Sequence, residues 1–366
     1  MKLHLSEHIT TAVQVEKSRE ELARGPGREN LIRLDCNENP WGPSPSVVRA
    51  LAAAELSRYP DPSGFALVQR LARNIGVTSG EIVLGNGSTE IVELLMRSLV
   101  QPGFEVIISF PSSLLYQRCV QILDGQNIII PLRRLSHDLE SIQASISEKT
   151  RLIVLDNPNN VTGTVINPGD FYSFLSGVPE SVVVLLNEAY VDFMDNEKLL
   201  DTFSLIRNTK NRCGVVVVRS FSKAYGLAGL RCGYGIMPEE ISRCLLRLRQ
   251  PYSVGGLALA AAQAALADEH YLRQTQERTR QGKEYLREEV KKLGCTCYPS
   301  QTNFLLVDLQ MNADALCLAL SRRGVIVRSM AAYGLIDCIR ISVGTDFENR
   351  NFITVFAECL QGFENA

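Results

Sequence analysis

Lys223 stands in the run Ser220-Phe-Ser222-Lys223-Ala-Tyr-Gly, and Arg231 follows shortly after it. A lysine amine is a compact donor that loses its proton readily when desolvated, which suits it to Schiff-base chemistry with a carbonyl. Two hydroxyls and a guanidinium close to it could hold an anion. A lone Ser-x-Lys is more often a solvated loop, so its surroundings decide. Gly85-Asn-Gly87-Ser88 follows the apolar run Ile82-Val-Leu84 and opens an apolar-periodic helix. A helix start of this kind offers free N–H groups and the positive end of the dipole to an anion. The plainer account is that Ser88 only caps the helix. Asn160 in DNPNNVTG and Asn187 and Tyr190 in NEAYVDF each follow an apolar run. Arg340 lies inside the strand-like CIRISVGT, where a buried guanidinium is costly unless it meets an anion such as a substrate carboxylate.

These residues need a scaffold that brings several strand ends together. Apolar runs over 82–84, 105–109, 127–131, 151–155, 181–186 and 214–218 alternate with helical stretches over 46–56, 65–74, 113–123, 138–145 and 168–176. Such alternation predicts an α/β fold with a mostly parallel central sheet and helices on both faces. Ligands of open sheets bind beyond the carboxyl ends of the strands, where Asn160, Asn187, Tyr190 and Lys223 would meet. Helices over 238–248 and 256–268 lead to a long charged helix over 269–293. Strands over 303–307, 325–328 and 338–343, with helices over 313–323 and 347–360, predict a second, small α/β domain. The expected organisation is an N-terminal arm (1–45) joining the small domain and a dimer, a large domain (46–250) and a small C-terminal domain (251–366).

The 366 residues are 45% hydrophobic and 21% charged, with a net charge of −2. That balance offers no electrostatic case for nucleic acid or an anionic membrane surface. No apolar run reaches the roughly 18 residues of a membrane span, and the N-terminus lacks a secretory apolar core. A cytoplasmic location is expected. None of the 10 cysteines forms a CxxC pair and the 4 histidines are scattered, so neither a metal site nor a disulfide framework is expected.

From Leu31 to the C-terminus the motifs LDCNENPWGPSP, RYPDPSG, LGNGSTEIVELL, NPNNVTG, NEAYVDF, SFSKAYGLAGLRCGY, QTNFLLV and IRISVGT occur in order. In these the chain resembles the histidinol-phosphate aminotransferase family, fold-type I enzymes of the class I/II aminotransferase superfamily that use pyridoxal 5′-phosphate (PLP). The resemblance implies that Lys223 carries PLP as a Schiff base. It implies that Gly87, Ser88, Ser220, Ser222 and Arg231 hold the cofactor phosphate, and that Asn160 and Tyr190 bind the ring's 3-oxygen. Tyr59 would reach the cofactor phosphate of the other subunit in a homodimer. Arg340 would take the substrate carboxylate, with Asn37 and Arg328 lining the substrate pocket.

The sequence departs from the family pattern in four places. Asn187 replaces the aspartate that pairs with the pyridine nitrogen, so the ring should be a weaker electron sink. Ser113 replaces the aromatic residue that stacks on the ring. Val161 replaces a proline, and a cis bond before it would cost about 2.5–4 kcal/mol. The arm segment 12–16 lacks the tyrosine that recognises a substrate phosphate. Asp156, at a neighbouring strand end, is a candidate compensating carboxylate for the ring nitrogen. The expected function is transamination of histidinol phosphate or a related amine. One alternative is a PLP enzyme of altered reaction, such as elimination, cyclisation, decarboxylation or oxidation; the sister threonine-phosphate decarboxylases share the scaffold. Another is a non-catalytic binding protein.

Overall fold

The computed structural model describes residues 31–207 and 214–364. The strands are β1 (Ile32–Arg33), β2 (Ile82–Asn86), β3 (Glu105–Phe110), β4 (Gln126–Pro131), β5 (Thr150–Asp156), β6 (Val183–Asn187), β7 (Gly214–Ser220) and β8 (Cys232–Ile236). They continue with β9 (Thr296–Cys297), β10 (Phe304–Asp308), β11 (Val325–Ile326), β12 (Arg328–Ser329) and β13 (Cys338–Ser342).

A seven-stranded sheet runs in the order β2-β8-β7-β6-β5-β3-β4. Neighbours are parallel except at β8, which runs antiparallel to both β2 and β7. Successive residues of the middle strands enter opposite cores. Ile153, Leu155, Val184, Leu186, Val215 and Val217 face one core. Leu152, Val154, Leu185, Val216 and Val218 face the other. A strand buried on both faces leaves no place for a polar alternation, which is why these segments read as unbroken Val/Ile/Leu runs. Helices Phe65–Ile75, Pro168–Ser176 and Gly256–Ala267 cover the first face. Helices Gly87–Leu99, Leu114–Ile122 and Glu239–Leu248 cover the second.

A separate core gathers Leu286, Leu305, Ile339, Ile341, Phe352 and Phe356 around a four-stranded sheet, β12-β13-β10-β9. Leu34 joins that core, and β1 pairs in parallel with β11, so the segment just after residue 30 packs with the C-terminal elements. Helix Gly256–Ala267, expected beyond the boundary after residue 250, buries Ala258, Leu259, Ala261, Ala262 and Ala265 in a core of the large sheet, whereas Leu286 and Val290 of the long helix Glu269–Lys292 join the C-terminal core.

Two local expectations also change. The strand expected over 325–328 is two short strands, because β11 pairs with β1 whereas β12 pairs with β13. The helix expected over 46–56 stops at Ala52, and Leu56 beyond it is exposed, so no burial would reward its continuation. Cis peptide bonds occur at Phe110-Pro111 and Asn157-Pro158 among the described residues, and not before Val161. The arm segment 12–16 lies outside the described residues.

Candidate active site

Strands β5, β6 and β7 end side by side: Asp156 is level with Asn187, and Asn187 with Val218. The chain leaving each strand end therefore opens on one edge of the sheet. A cavity of about 620 Å³ lies there. Its wall includes Lys223, Asn160, Asn187 and Tyr190, with Ser88, Ser113, Ser220, Ser222 and Arg231. Arg328 and Arg340 close it from the C-terminal sheet, with Asn37 from the segment after β1. Of the residues singled out in the sequence, Gly87 lies just beneath the wall and Tyr59 lies away from it.

The anion end is built at the start of helix Gly87–Leu99. Gly87 has φ +73°, and a Cβ there would collide with the Arg231 guanidinium. Glycine leaves room for the Arg231 guanidinium to approach this turn. Arg231 Nη1 donates to Ser222 Oγ (3.3 Å) and to Ala228 O (3.2 Å). Ser220 Oγ accepts from the Ser222 amide (3.0 Å), which fixes the second hydroxyl of the loop. Gly233 of β8 is equally constrained, since a Cβ there would strike the Ser88 amide.

Lys223 Nζ donates to Cys36 O at 3.2 Å and lies 5.5 Å from the centroid of the Tyr190 ring. Tyr190 is held from both sides: its hydroxyl accepts from Asn37 Nδ2 (2.8 Å) and donates to Asn160 Oδ1 (2.9 Å). Asn37 also joins the C-terminal sheet. Its amide donates to Ser342 Oγ (2.7 Å), and its carbonyl accepts from Asn303 Nδ2 (3.0 Å).

Arg340 is buried, and desolvation lowers its pKa. Its Nη1 donates to Asn160 O at 2.8 Å, whereas the buried Nε has no hydrogen-bond partner. Arg328 stands opposite Arg340 across the β12–β13 pair. Like charges in register repel, and a buried donor without a partner is costly. An anion resting on both arginines would relieve both terms.

Asn187 and Asp156 are arranged in a way the sequence did not suggest. Asp156 is buried below the cavity rather than lining it, which removes it as a direct partner of a bound ring. Its Oδ1 accepts a short hydrogen bond from the Tyr116 hydroxyl, and that hydroxyl accepts from Asn187 Nδ2 at 2.7 Å. Burial pushes the Asp156 carboxyl up to about 6, and burial together with Asp156 raises Tyr116 well above its ordinary value. Tyr116 was overlooked in the sequence. Its signal was a tyrosine on the buried face of helix Leu114–Ile122, where the hydroxyl needs a partner. Glu188, next to Asn187, cannot replace the missing aspartate, because its Oε2 is held by Arg219 Nε (2.9 Å) and Nη2 (2.7 Å). A larger cleft of about 760 Å³, lined by Arg133, Arg134 and His137, meets this network only where His137 Nε2 lies 2.8 Å from Asp156 O.

The residues fit PLP on their own geometry. Gly87 leaves the cradle that a Cβ would fill, an arginine and hydroxyls face a helix start, and an amine and a hydroxyl–amide pair stand in one cavity. This fold and cavity define a PLP-dependent enzyme of fold type I. The model for aminotransferase class I and II matches residues 29–356, and the chain belongs to that family. Its relatives narrow the branch. The histidinol-phosphate aminotransferase of Desulfotalea psychrophila is 47% identical over 365 residues, covering 99% of this chain and 96% of that one. Histidinol-phosphate aminotransferase 2 of Carboxydothermus hydrogenoformans is 43% identical, covering 91% and 92%. The crystal structure of histidinol-phosphate aminotransferase from Sinorhizobium meliloti in complex with PLP superposes with a TM-score of 0.92 at 29% identity, covering 99% of each chain.

Proposed function

We propose that the protein transaminates histidinol phosphate, with Lys223, Arg328 and Arg340 sharing one cavity as the observation that carries this reading. Bound PLP supplies an aldehyde that accepts the amino group and a ring that withdraws electrons from the reacting carbon. Lys223 would hold that aldehyde and would move the proton at the amine-bearing carbon through Nζ. Ser88, Ser220, Ser222, Arg231 and the amides at Gly87 hold the cofactor phosphate. Asn160 would donate to the ring oxygen through Nδ2, and Tyr190 would do so once its single hydroxyl hydrogen turns from Asn160 Oδ1; Asn187 would meet the ring nitrogen, and Ser113 would leave one ring face without an aromatic partner. Histidinol phosphate carries no carboxylate, so the Arg328–Arg340 pair receives its phosphate in one half-reaction and the carboxylate of a keto acid in the other.

The relatives' names favour transamination over an altered PLP reaction or a non-catalytic role. The test is to supply purified, PLP-loaded protein with histidinol phosphate and a keto acid and to follow amino-acid formation. Turnover with histidinol phosphate exceeding that with common amino acids supports the assignment. Turnover confined to other amines rejects the substrate, and a Lys223→Ala variant that still turns over rejects the site.

We also propose a homodimer in the cytoplasm. Tyr59 is 83% exposed and stacks on Tyr252 at 4.9 Å, away from its own cavity, as a residue serving a second subunit's phosphate site would be. All the described cysteines are free, which suits a reducing compartment.

A further inference from the structure

We infer that Asp156 and Tyr116 are positioning residues that make Asn187 turn its carbonyl oxygen, not its NH₂, toward the cofactor's ring nitrogen, so that this nitrogen is held protonated. The inference rests on the placement of Asn187 against that nitrogen in the proposed function, and goes beyond it. It assigns to a buried pair the task that a carboxylate at position 187 would perform alone.

The polarity of the chain of hydrogen bonds carries the argument. An ionised carboxylate can only accept, so the proton between Asp156 and Tyr116 belongs to the phenol, which donates it. The phenol oxygen has then given its only hydrogen and must accept from its other neighbour, Asn187. Only the NH₂ of Asn187 can donate, so its Oδ1 is left as the free end. That oxygen already accepts from the Ala189 amide at 3.2 Å and keeps a second lone pair. A carbonyl oxygen is satisfied by a ring N–H and repelled by a bare ring nitrogen. The reverse polarity requires Asp156 to carry the proton: the phenol would then donate to Asn187 Oδ1, the amide would turn over, and its NH₂ would favour an unprotonated nitrogen.

Charge favours the first arrangement. Asp156 is buried and forms no salt bridge among the described residues. Its second oxygen, Oδ2, has no hydrogen-bond partner, and the Tyr116 hydroxyl, the Asn187 side chain and the amides of Ser113 and Asn160 offset only part of its desolvation. The other titratable group touching Asp156 is His137, which burial lowers to about 4 and so keeps neutral; it meets only the backbone carbonyl. A buried carboxylate without a counter-ion is a standing cost. A protonated ring nitrogen beyond Asn187 supplies the missing positive charge.

The experiment loads the enzyme with PLP labelled with ¹⁵N in the ring and reads the nitrogen's chemical shift by NMR at neutral pH. In the unsubstituted enzyme the signal is expected at the protonated position. In Asp156→Asn and in Tyr116→Phe it is expected to move toward the unprotonated position, with loss of most of the protonated fraction. Asn187→Asp should remain protonated whether or not Asp156 is also replaced. An unsubstituted enzyme with an unprotonated nitrogen, or an Asp156→Asn signal that stays protonated, overturns the inference. If Asp156→Asn does not fold, Tyr116→Phe decides alone. If Asn187→Asp and Asn187→Ala both leave the signal where it was, Asn187 does not face the ring nitrogen. In that case the underlying placement has failed rather than the relay.

Discussion

Arg328 and Arg340 stand directly opposite one another on antiparallel strands, and both face the cavity that holds Lys223. Two guanidinium groups in register are an unfavourable pair in the absence of a ligand. Their placement therefore costs stability that an anion between them would restore. Inorganic phosphate should raise the melting temperature of the protein, and raise it less in Arg328→Met. Arg340→Lys should lower kcat/KM by about 30-fold, the equivalent of losing about 2 kcal/mol from a buried charge-assisted fork. The change should fall mainly on KM. Steady-state kinetics on both substrates and thermal melts in phosphate check this pair of expectations.

Gly87→Ala should weaken cofactor binding more than 10-fold in an absorbance titration. The substitution adds about 1–2 kcal/mol of backbone strain at φ +73° and drives a methyl group into Arg231. Gly42→Ala is the control. Gly42 has φ +68° but nothing within 4 Å of an added Cβ, so it should lose stability and leave cofactor affinity unchanged.

Cofactor-free protein should reveal the Asp156 carboxyl in its pH dependence. The folded value of about 6 exceeds the ordinary 3.8, so the native state holds this proton more tightly than the unfolded chain. The stabilisation it brings is present below 3.8 and is lost as pH rises to about 6, at up to about 1.4 kcal/mol per pH unit. His137 runs the other way: lowered from 6.5 to about 4, it costs stability as pH falls through that interval. The two partly cancel in the unsubstituted protein, so the quantity to measure is its difference from Asp156→Asn in urea unfolding. That difference should move in favour of Asp156→Asn between pH 4 and 6. A flat difference would show that the carboxyl titrates normally.

Subunit exchange tests the dimer. Lys223→Ala and Tyr59→Ala proteins should each be poorly active, while a refolded mixture should regain activity because one of the two mixed sites has both residues intact. No recovery, with mixed dimers demonstrated by mass spectrometry, would place Tyr59 at its own subunit's site or at none.

The site was legible wherever a parallel strand ended. Strands buried on both faces are apolar throughout, so the first polar residues after 155, 186 and 218 mark the sheet edge. Asn160, Asn187, Tyr190 and Lys223 were found in this way. The Asp156–Tyr116–Asn187 link was hidden because it depends on the β5–β6 register and on a helix packed across β5 from a distant part of the chain. The split between β11 and β12 was hidden for a similar reason: β11 pairs with residues near 32, far away in sequence. The packing of helix Gly256–Ala267 on the large sheet was hidden because its alanine-rich run is apolar but for Gln263 and carries no mark of which sheet it covers.

Asn37 also bears on how the molecule is made. Its amide is bonded to Ser342, 305 positions later, and its side chain reaches Tyr190. During vectorial synthesis the large sheet can assemble while the C-terminal strands are still within the ribosome, but Tyr190 cannot be clamped between Asn37 and Asn160 as it is here until β13 has emerged. A nascent chain without β13 therefore presents Lys223 in an edge that Arg340 has yet to close.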